Sequence, residues 1–166
     1  MKIFLIGMPG SGKTTLGKQV AEHLQIEFVD LDAEIEKQEQ RSISEIFGEQ
    51  GEEHFRTIES RLLREWAAAT RSFVMATGGG APCFHRGMEV INGQGISIYL
   101  SCPVPELIER VKKNRERPLL LTSDEVELKR KLERMLAGRL ACYNEAKVIL
   151  EHPTLDAVLN ALHAKM

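Results

Sequence analysis

A glycine-rich segment at residues 7–14 has the composition of a phosphate-binding loop. It reads Gly-Met-Pro-Gly-Ser-Gly-Lys-Thr and matches the pattern G-x-x-x-x-G-K-[ST]. The glycines let backbone N–H groups turn inward around phosphate oxygens, and a helix beginning near Lys13 directs the positive end of its dipole to the same place. Lys13 is expected to reach the β- and γ-phosphates, and the Thr14 hydroxyl to face Mg²⁺. A chance glycine-rich turn is the alternative, which the flanking strand and helix patterns disfavour. The segment predicts a nucleotide-binding site formed by Gly10, Ser11, Gly12, Lys13, Thr14 and Thr15.

Two aspartates, Asp30 and Asp32, follow the apolar stretch at residues 26–29. Residues i and i+2 of an extended strand point to the same side, so both carboxylates are expected to face the phosphate-binding loop. Phosphoryl transfer needs a positioned Mg²⁺ and an acceptor hydroxyl held in line. One aspartate is suited to hold a metal-bound water, and the other to accept the hydroxyl's hydrogen bond and proton. The alternative is that Asp32 caps a helix over residues 33–40, a role compatible with catalysis.

A glycine triplet at residues 78–80 follows another apolar stretch directly. Glycine lets the backbone approach a ligand closely, although a flexible turn would have the same composition. Ligands of parallel sheets bind beyond the carboxyl ends of the strands, and the triplet falls at such an end. We therefore predict a binding role for it.

Five basic residues lie between residues 110 and 117, just before Pro118. No aromatic residue interleaves with them, so stacking on nucleic-acid bases is not supported. A solvated helix face is one interpretation. The favoured one is a mobile lid over about residues 112–124 that brings an arginine to the transferring phosphate, where it stabilises charge that grows in the transition state.

Arg56 and Glu59 are three positions apart in a helical pattern, with Phe55 beside the arginine. This spacing allows an ion pair that would orient the guanidinium group. A surface ion pair without further function is the default interpretation of such a pattern. The spacing alone therefore predicts the pair but not a role for it.

Composition excludes several classes of protein. The chain has 166 residues and a net charge of −2, so no overall basic field favours a nucleic-acid or membrane partner. No apolar run approaches the roughly 20 residues that a membrane span needs. The three cysteines form no CxxC pair and are expected to be reduced thiols of a cytoplasmic protein. The length fits one domain over residues 1–166.

The remaining pattern alternates short apolar runs with amphipathic segments. Strands are predicted at residues 3–6, 26–31, 72–77, 96–100 and 148–150. Helices are predicted after each of them except the strand at 72–77. Ser42 to Glu45 has the form of a capping box before a helix that stops near Gly51. Alternating strands and helices imply right-handed crossovers. The predicted fold is a three-layer α/β/α sandwich around a five-stranded parallel sheet, with the candidate residues at one edge of it.

From Gly7 to about Tyr143, the chain resembles the shikimate kinases. The resemblance is carried by GMPGSGKTTLGK at 7–18, FVDLD at 28–32, SISEIF at 42–47, GEEHFRTIE at 51–59, ATGGG at 76–80, RPLL at 117–120 and RLACYNEA at 139–146. Many families share the first motif, whereas the ordered set of the others is much more specific. The resemblance implies a P-loop nucleoside-kinase type of fold with a mobile lid and a monomeric state. It also implies transfer of phosphate from ATP to the 3-hydroxyl of shikimate, in aromatic amino-acid biosynthesis.

The resemblance also assigns the acceptor site. It implies that Asp32 binds the shikimate hydroxyls and serves as the base. It implies that Arg56 and Arg139 bind the carboxylate, for which the fork of guanidinium donors is suited. The backbone of Gly79, with its neighbour Gly80, is implied to contact the same substrate.

On the nucleotide side, the resemblance implies that Asp30 holds Mg²⁺ through water, together with Thr14. Lys13 and Arg117 are implied to act on the transferring phosphate, with Arg117 in the lid. Arg110 matches a residue that flanks the adenine of ATP.

Other interpretations remain open at the level of sequence. A gluconate-type sugar-acid kinase would share the size and the phosphate-binding loop, but would not require the FR..E and TGGG motifs. A non-catalytic nucleotide-binding module, such as a GTPase-like switch, would carry an NKxD-type motif that reads guanine, and the sequence has none.

Overall fold

A computed structural model describes residues 1–113 and 124–165. The strands are β1 (Lys2–Ile6), β2 (Glu27–Asp30), β3 (Phe73–Ala76), β4 (Ile96–Leu100) and β5 (Val148–Leu150). The helices are α1 (Lys13–Leu24), α2 (Leu31–Glu39), α3 (Ile43–Ala68), α4 (Gly87–Gln94), α5 (Val104–Lys113), α6 (Glu125–Tyr143) and α7 (Leu155–His163).

The strands form one parallel sheet in the order β2-β3-β1-β4-β5. The carboxyl ends of all five strands therefore lie along one edge. The loop after β1, the aspartates after β2 and the glycine triplet after β3 all leave the sheet at that edge, as the sequence predicted.

Side chains of β1 alternate between two hydrophobic clusters, as expected for a strand buried on both faces. Phe4 and Ile6 join the cluster formed with α2 to α6, whereas Ile3 and Leu5 join the cluster formed with α1 and α7. All four are fully buried. The helices thus cover both faces of the sheet, and the predicted three-layer α/β/α architecture is confirmed.

Local signals account for most element boundaries. The Ser42 hydroxyl accepts a hydrogen bond from the Glu45 N–H at 3.1 Å, and the Glu45 carboxylate accepts one from the Ser42 N–H at 2.9 Å, which confirms the capping box. Helix α3 is interrupted at Gly51, whose φ of 82° is left-handed.

Helix α4 was not predicted. The proposed lid falls almost wholly on residues outside the described part of the chain.

Within residues 1–113 and 124–165, no helix is both long enough and apolar enough to cross a bilayer.

Candidate functional site

The phosphate-binding loop connects β1 to α1 and is shaped by its glycines. Gly10 and Gly12 have φ values of 85° and 93°, a conformation that other residues rarely adopt. The Lys13 side chain folds back over the loop, where Nζ donates to the carbonyl oxygens of Gly7 at 2.7 Å and Met8 at 3.0 Å. The buried Ser11 Oγ has no hydrogen-bond partner among the described residues. The loop thus holds a lysine ammonium and a hydroxyl beside the uncapped first turn of α1.

Asp30 ends β2 and is tied to the loop on one side and to α2 on the other. Its Oδ2 accepts a hydrogen bond from the Thr14 hydroxyl at 3.0 Å. Its Oδ1 accepts from the N–H groups of Asp32 at 3.1 Å and Ala33 at 3.3 Å, so Asp30 is the N-cap of α2. The alternative that Asp32 is the cap is wrong, because the helix begins at Leu31 rather than at residue 33.

Asp32 lies in the first turn of α2 and not in β2, so the prediction that strand spacing aligns it with Asp30 is wrong. Its carboxylate nevertheless reaches the glycine triplet. A methyl group added to Gly78 would lie 3.0 Å from Asp32 Oδ1 and 2.6 Å from Glu59 Oε2. A helical turn therefore delivers Asp32 to the expected edge of the sheet.

Each glycine of the triplet abuts a charged side chain of the site. Besides the contacts of Gly78, a methyl group on Gly79 would lie 2.9 Å from Arg139 Nη1, and one on Gly80 would lie 2.5 Å from Arg56 Nη1. None of the three has a left-handed φ. These glycines are therefore needed for the space they leave and not for an unusual backbone conformation.

Arg56 and Glu59 form an ion pair that is almost completely buried. The Arg56 Nη1 to Glu59 Oε1 distance is 2.8 Å, and the two side chains are 5% and 2% exposed. Glu52, which is mostly exposed, accepts a second hydrogen bond from Arg56 Nη2 at 3.3 Å. The default interpretation of a surface pair is wrong.

Burial raises the pKa of Glu59 to about 7, and the neighbouring charge of Arg56 lowers it only in part. Glu59 Oε2 accepts no hydrogen bond within the described residues, although it is buried beside Gly78. The pair therefore places a carboxylate and a guanidinium group in a region of low polarity.

Arg139 and Tyr143, one helical turn apart on α6, close the site from the other side. Arg139 is 9% exposed, and its guanidinium group abuts Gly79. The Tyr143 hydroxyl donates to the Gly79 carbonyl oxygen at 2.5 Å, and burial raises the pKa of this fully buried tyrosine. The sequence predicted a role for Arg139 and none for Tyr143.

Arg110 on α5 contacts the phosphate-binding loop. Its Nη1 donates to the Gly10 carbonyl oxygen at 3.2 Å, and its Nη2 bonds to Glu106 at 2.6 Å. The side chain is 43% exposed. Arg117, by contrast, lies outside the described residues.

These features meet in one cavity of about 1040 Å³. It is lined by every predicted site residue of the described part of the chain, namely Gly10, Ser11, Gly12, Lys13, Thr14, Thr15, Asp30, Asp32, Arg56, Gly79, Gly80, Arg110 and Arg139. A separate depression of about 450 Å³ between α2 and α3 contains none of them. The large cavity thus combines a phosphate-binding loop, the carboxylate of Asp32 and the buried guanidinium groups of Arg56 and Arg139. These groups are suited to phosphoryl transfer to an anionic acceptor.

Comparisons with known proteins agree with this chemistry. The family model described as "Shikimate kinase" matches residues 9–162. A shikimate kinase of Azobacteroides pseudotrichonymphae is 36% identical, with 99% of each chain covered. One of Parabacteroides distasonis is 38% identical over 90% of this chain and 87% of its own.

Solved structures give the same result. The shikimate kinase of Acinetobacter baumannii in complex with shikimate has a TM-score of 0.89 and 34% identity, over 99% of this chain and 92% of its own. The enzyme of Bacteroides thetaiotaomicron has a TM-score of 0.90 and 34% identity, over 99% and 97%. With the family model covering most of its length and relatives above 30% identity matching nearly all of it, this chain belongs to the shikimate kinase family.

Proposed function

We propose that this chain transfers the γ-phosphate of ATP to the 3-hydroxyl of shikimate, giving shikimate 3-phosphate and ADP. One observation carries the proposal: two buried guanidinium groups, of Arg56 and Arg139, meet Asp32 at the glycine triplet, in the same cavity as the phosphate-binding loop. Shikimate offers one carboxylate and several hydroxyls on a small ring. The similar protein of A. baumannii, whose structure contains shikimate, supports the choice of acceptor.

The roles of the acceptor-side residues follow from their chemistry. The forked donors of Arg56 and Arg139 suit a planar carboxylate, and their burial strengthens the interaction because little water competes. Binding the carboxylate there directs the hydroxyls of the ring away from it. Asp32 accepts the hydrogen bond of the reacting hydroxyl and takes its proton, while Gly79 and Gly80 contact the ring through their backbone.

On the nucleotide side, the backbone of the loop from Gly10 to Thr15 binds the phosphates of ATP. The Lys13 ammonium leaves its two carbonyl partners and neutralises the β- and γ-phosphates. Arg110 flanks the adenine, at the rim where it contacts the loop. Arg117, which lies outside the described residues, is assigned to the lid and to the charge that grows on the transferring phosphate.

ATP-dependent kinases of this family generally need a divalent metal ion, and we propose Mg²⁺. The Thr14 hydroxyl and the Asp30 carboxylate lie 3.0 Å apart beside the loop and offer the oxygen ligands that Mg²⁺ prefers. Thr14 would hold the ion directly and Asp30 through water. The ion, when bound, neutralises charge on the β- and γ-phosphates.

A cytoplasmic location and a monomeric state complete the proposal. The cysteines, Cys83, Cys102 and Cys142, are free thiols, which is typical of a reducing compartment. Gel filtration with light scattering tests the monomer.

A coupled assay for ADP tests the function. Purified protein with Mg²⁺ and ATP is given shikimate, gluconate or a nucleoside monophosphate, and ADP is expected only with shikimate. Asp32→Asn should lower turnover by roughly 10²–10⁴-fold, whereas the matched Asp156→Asn, at an exposed position of α7, should leave it unchanged. Turnover on gluconate without turnover on shikimate would favour the sugar-acid kinase, and no turnover on any acceptor would favour a non-catalytic binding module.

A further inference from the structure

Phe84 is a large apolar residue that stays 38% exposed, between the glycine triplet and α4. It does not line the large cavity formed by the described residues. Most aromatic side chains of this size bury more of their surface, so the exposure of Phe84 is unusual.

The loop that carries Phe84 is held in an uncommon conformation. His85 and Arg86 follow it with φ values of 47° and 58°, in the left-handed region that such residues rarely adopt. Arg64 of α3 donates to the His85 carbonyl oxygen at 2.6 Å, and the Gly87 N–H donates to the Phe84 carbonyl oxygen at 2.9 Å. These bonds fix the position of the Phe84 backbone against α3, and an unfavourable backbone conformation persists only where its surroundings impose it.

The Phe84 ring lies over the guanidinium group of Arg56. The distance from Arg56 Cζ to the ring centroid is 4.3 Å, which is shorter than the 5.2 Å to the Phe55 ring. Both distances are within the range of a cation–π interaction, about 6 Å. Arg56 is nonetheless 5% exposed beside a ring that is 38% exposed, so Phe84 contributes cover that separates the guanidinium group from water.

We propose that Phe84 is a positioning residue of the acceptor site, whose ring holds the Arg56 guanidinium group in the plane in which it binds the carboxylate of the substrate. The proposal rests on the proposed function of Arg56. Glu59 holds Arg56 Nη1 at 2.8 Å, but the contact of Nη2 with the mostly exposed Glu52 is longer, at 3.3 Å, so the two carboxylates fix the plane of the guanidinium group only loosely. A ring over the group restricts its rotation and also excludes water from its face. Phe84 therefore acts on the substrate only through Arg56.

Steady-state kinetics on the full chain tests this role. Phe84→Leu keeps an apolar side chain and removes the ring. It is expected to raise the KM for shikimate about 3- to 10-fold, which is the range for loss of one cation–π contact at a partly desolvated guanidinium group. The KM for ATP and kcat should change less than about 2-fold, since no group that contacts ATP is altered. Phe84→Tyr keeps the ring and should restore the wild-type KM.

Ile149→Ala is the matched control, because Ile149 is a similarly exposed apolar residue, on β5. This variant is expected to leave both KM values and kcat unchanged. An unchanged KM for shikimate in Phe84→Leu would overturn the proposal. So would an equal rise in both KM values, or a Phe84→Tyr variant as impaired as Phe84→Leu. Wild-type protein that fails to phosphorylate shikimate in the same assay would refute the proposed function, and the role of Phe84 with it.

Discussion

Replacement of Glu59 by glutamine should change how the stability of the protein depends on pH. Glutamine has nearly the same shape and cannot ionise, so the variant removes one titration, together with the negative charge that pairs with Arg56 when Glu59 is ionised. Burial raises the pKa of Glu59 from its usual 4.5 to about 7, against the opposing effect of Arg56. The unfolded chain exposes this carboxyl group to water, where it titrates at its usual value.

The sign of the effect follows from proton binding. Below pH 4.5, Glu59 is protonated in both states, and wild type and variant differ by a constant. Between pH 4.5 and about 7, the unfolded wild type has lost the proton that the folded protein keeps, so wild-type stability falls as pH rises. Above about pH 7 both states are ionised, and the difference becomes constant again.

The size of the effect comes from the same two pKa values, 4.5 and about 7. One pKa unit corresponds to about 1.4 kcal/mol, so the free energy of unfolding of Glu59→Gln should gain about 3 kcal/mol on that of wild type across this range. That is a large part of the 5–15 kcal/mol typical of a domain. Urea unfolding at several pH values between about 4 and 8.5, which spans both pKa values, would measure it.

Subtracting the wild-type curve from the variant curve removes the titration of all other groups. Glu65→Gln is a suitable control, because it removes an exposed carboxylate of the same helix that also lies near an arginine. The distance from Glu65 Oε1 to Arg61 Nη1 is 3.8 Å. A difference between Glu59→Gln and wild type that stays flat with pH would refute the reasoning. A difference that falls as pH rises would mean that attraction to Arg56 outweighs burial.

Other substitutions test single residues of the acceptor site and the lid. Asp32→Asn should reduce kcat by roughly 10²–10⁴-fold, the loss expected for a general base, with ATP binding measured by calorimetry unchanged. Arg56→Lys should raise the KM for shikimate about 10-fold, because a point charge replaces a fork, and an unaltered KM would count against the carboxylate contact. Arg117→Ala should lower kcat, whereas a wild-type rate would reject the lid role. Tyr143→Phe removes the hydrogen bond to the Gly79 carbonyl and should lower the free energy of unfolding in urea by about 1 kcal/mol.

The sheet was predictable because its strands are short apolar runs with clear ends. The predicted bounds of β4 and β5 are those observed. Strand β1 begins one residue earlier than predicted, and β2 and β3 are one residue shorter at each end. The parallel order then placed three motifs at one edge without any tertiary information. Helix α4 escaped prediction because Arg86 at its N-cap makes no side-chain hydrogen bond to the helix. Its position depends on burial of Met88 and Ile91 in the core, which local sequence does not reveal.

Asp30 and Asp32 were both expected at the cavity, but the strand spacing from which this was predicted applies only to Asp30. Both line the cavity, but only Asp30 belongs to the strand. Asp30 caps α2, which therefore begins at Leu31. The first turn of the helix then places Asp32 next to Gly78. The sequence suggested Asp32 as the capping residue, whereas the structure shows that Asp30 is the N-cap.

The burial of Arg56 and Glu59 was beyond the reach of sequence, and a second pair in the same chain explains why. Arg86 and Glu89 have the same i, i+3 spacing, yet their side chains are 78% and 60% exposed, against 5% and 2% for Arg56 and Glu59. Spacing determines that such residues meet, whereas tertiary packing determines whether water reaches them. A surface pair contributes little to stability, and a buried one rarely recovers the free energy lost by desolvation. The raised pKa of Glu59 is the sign of that loss, because it persists with a guanidinium group 2.8 Å away. Stability alone therefore gives no reason to bury this pair. The proposed role of Arg56 in binding the substrate gives one, since an arginine held at a dry site attracts a carboxylate more strongly than one in water.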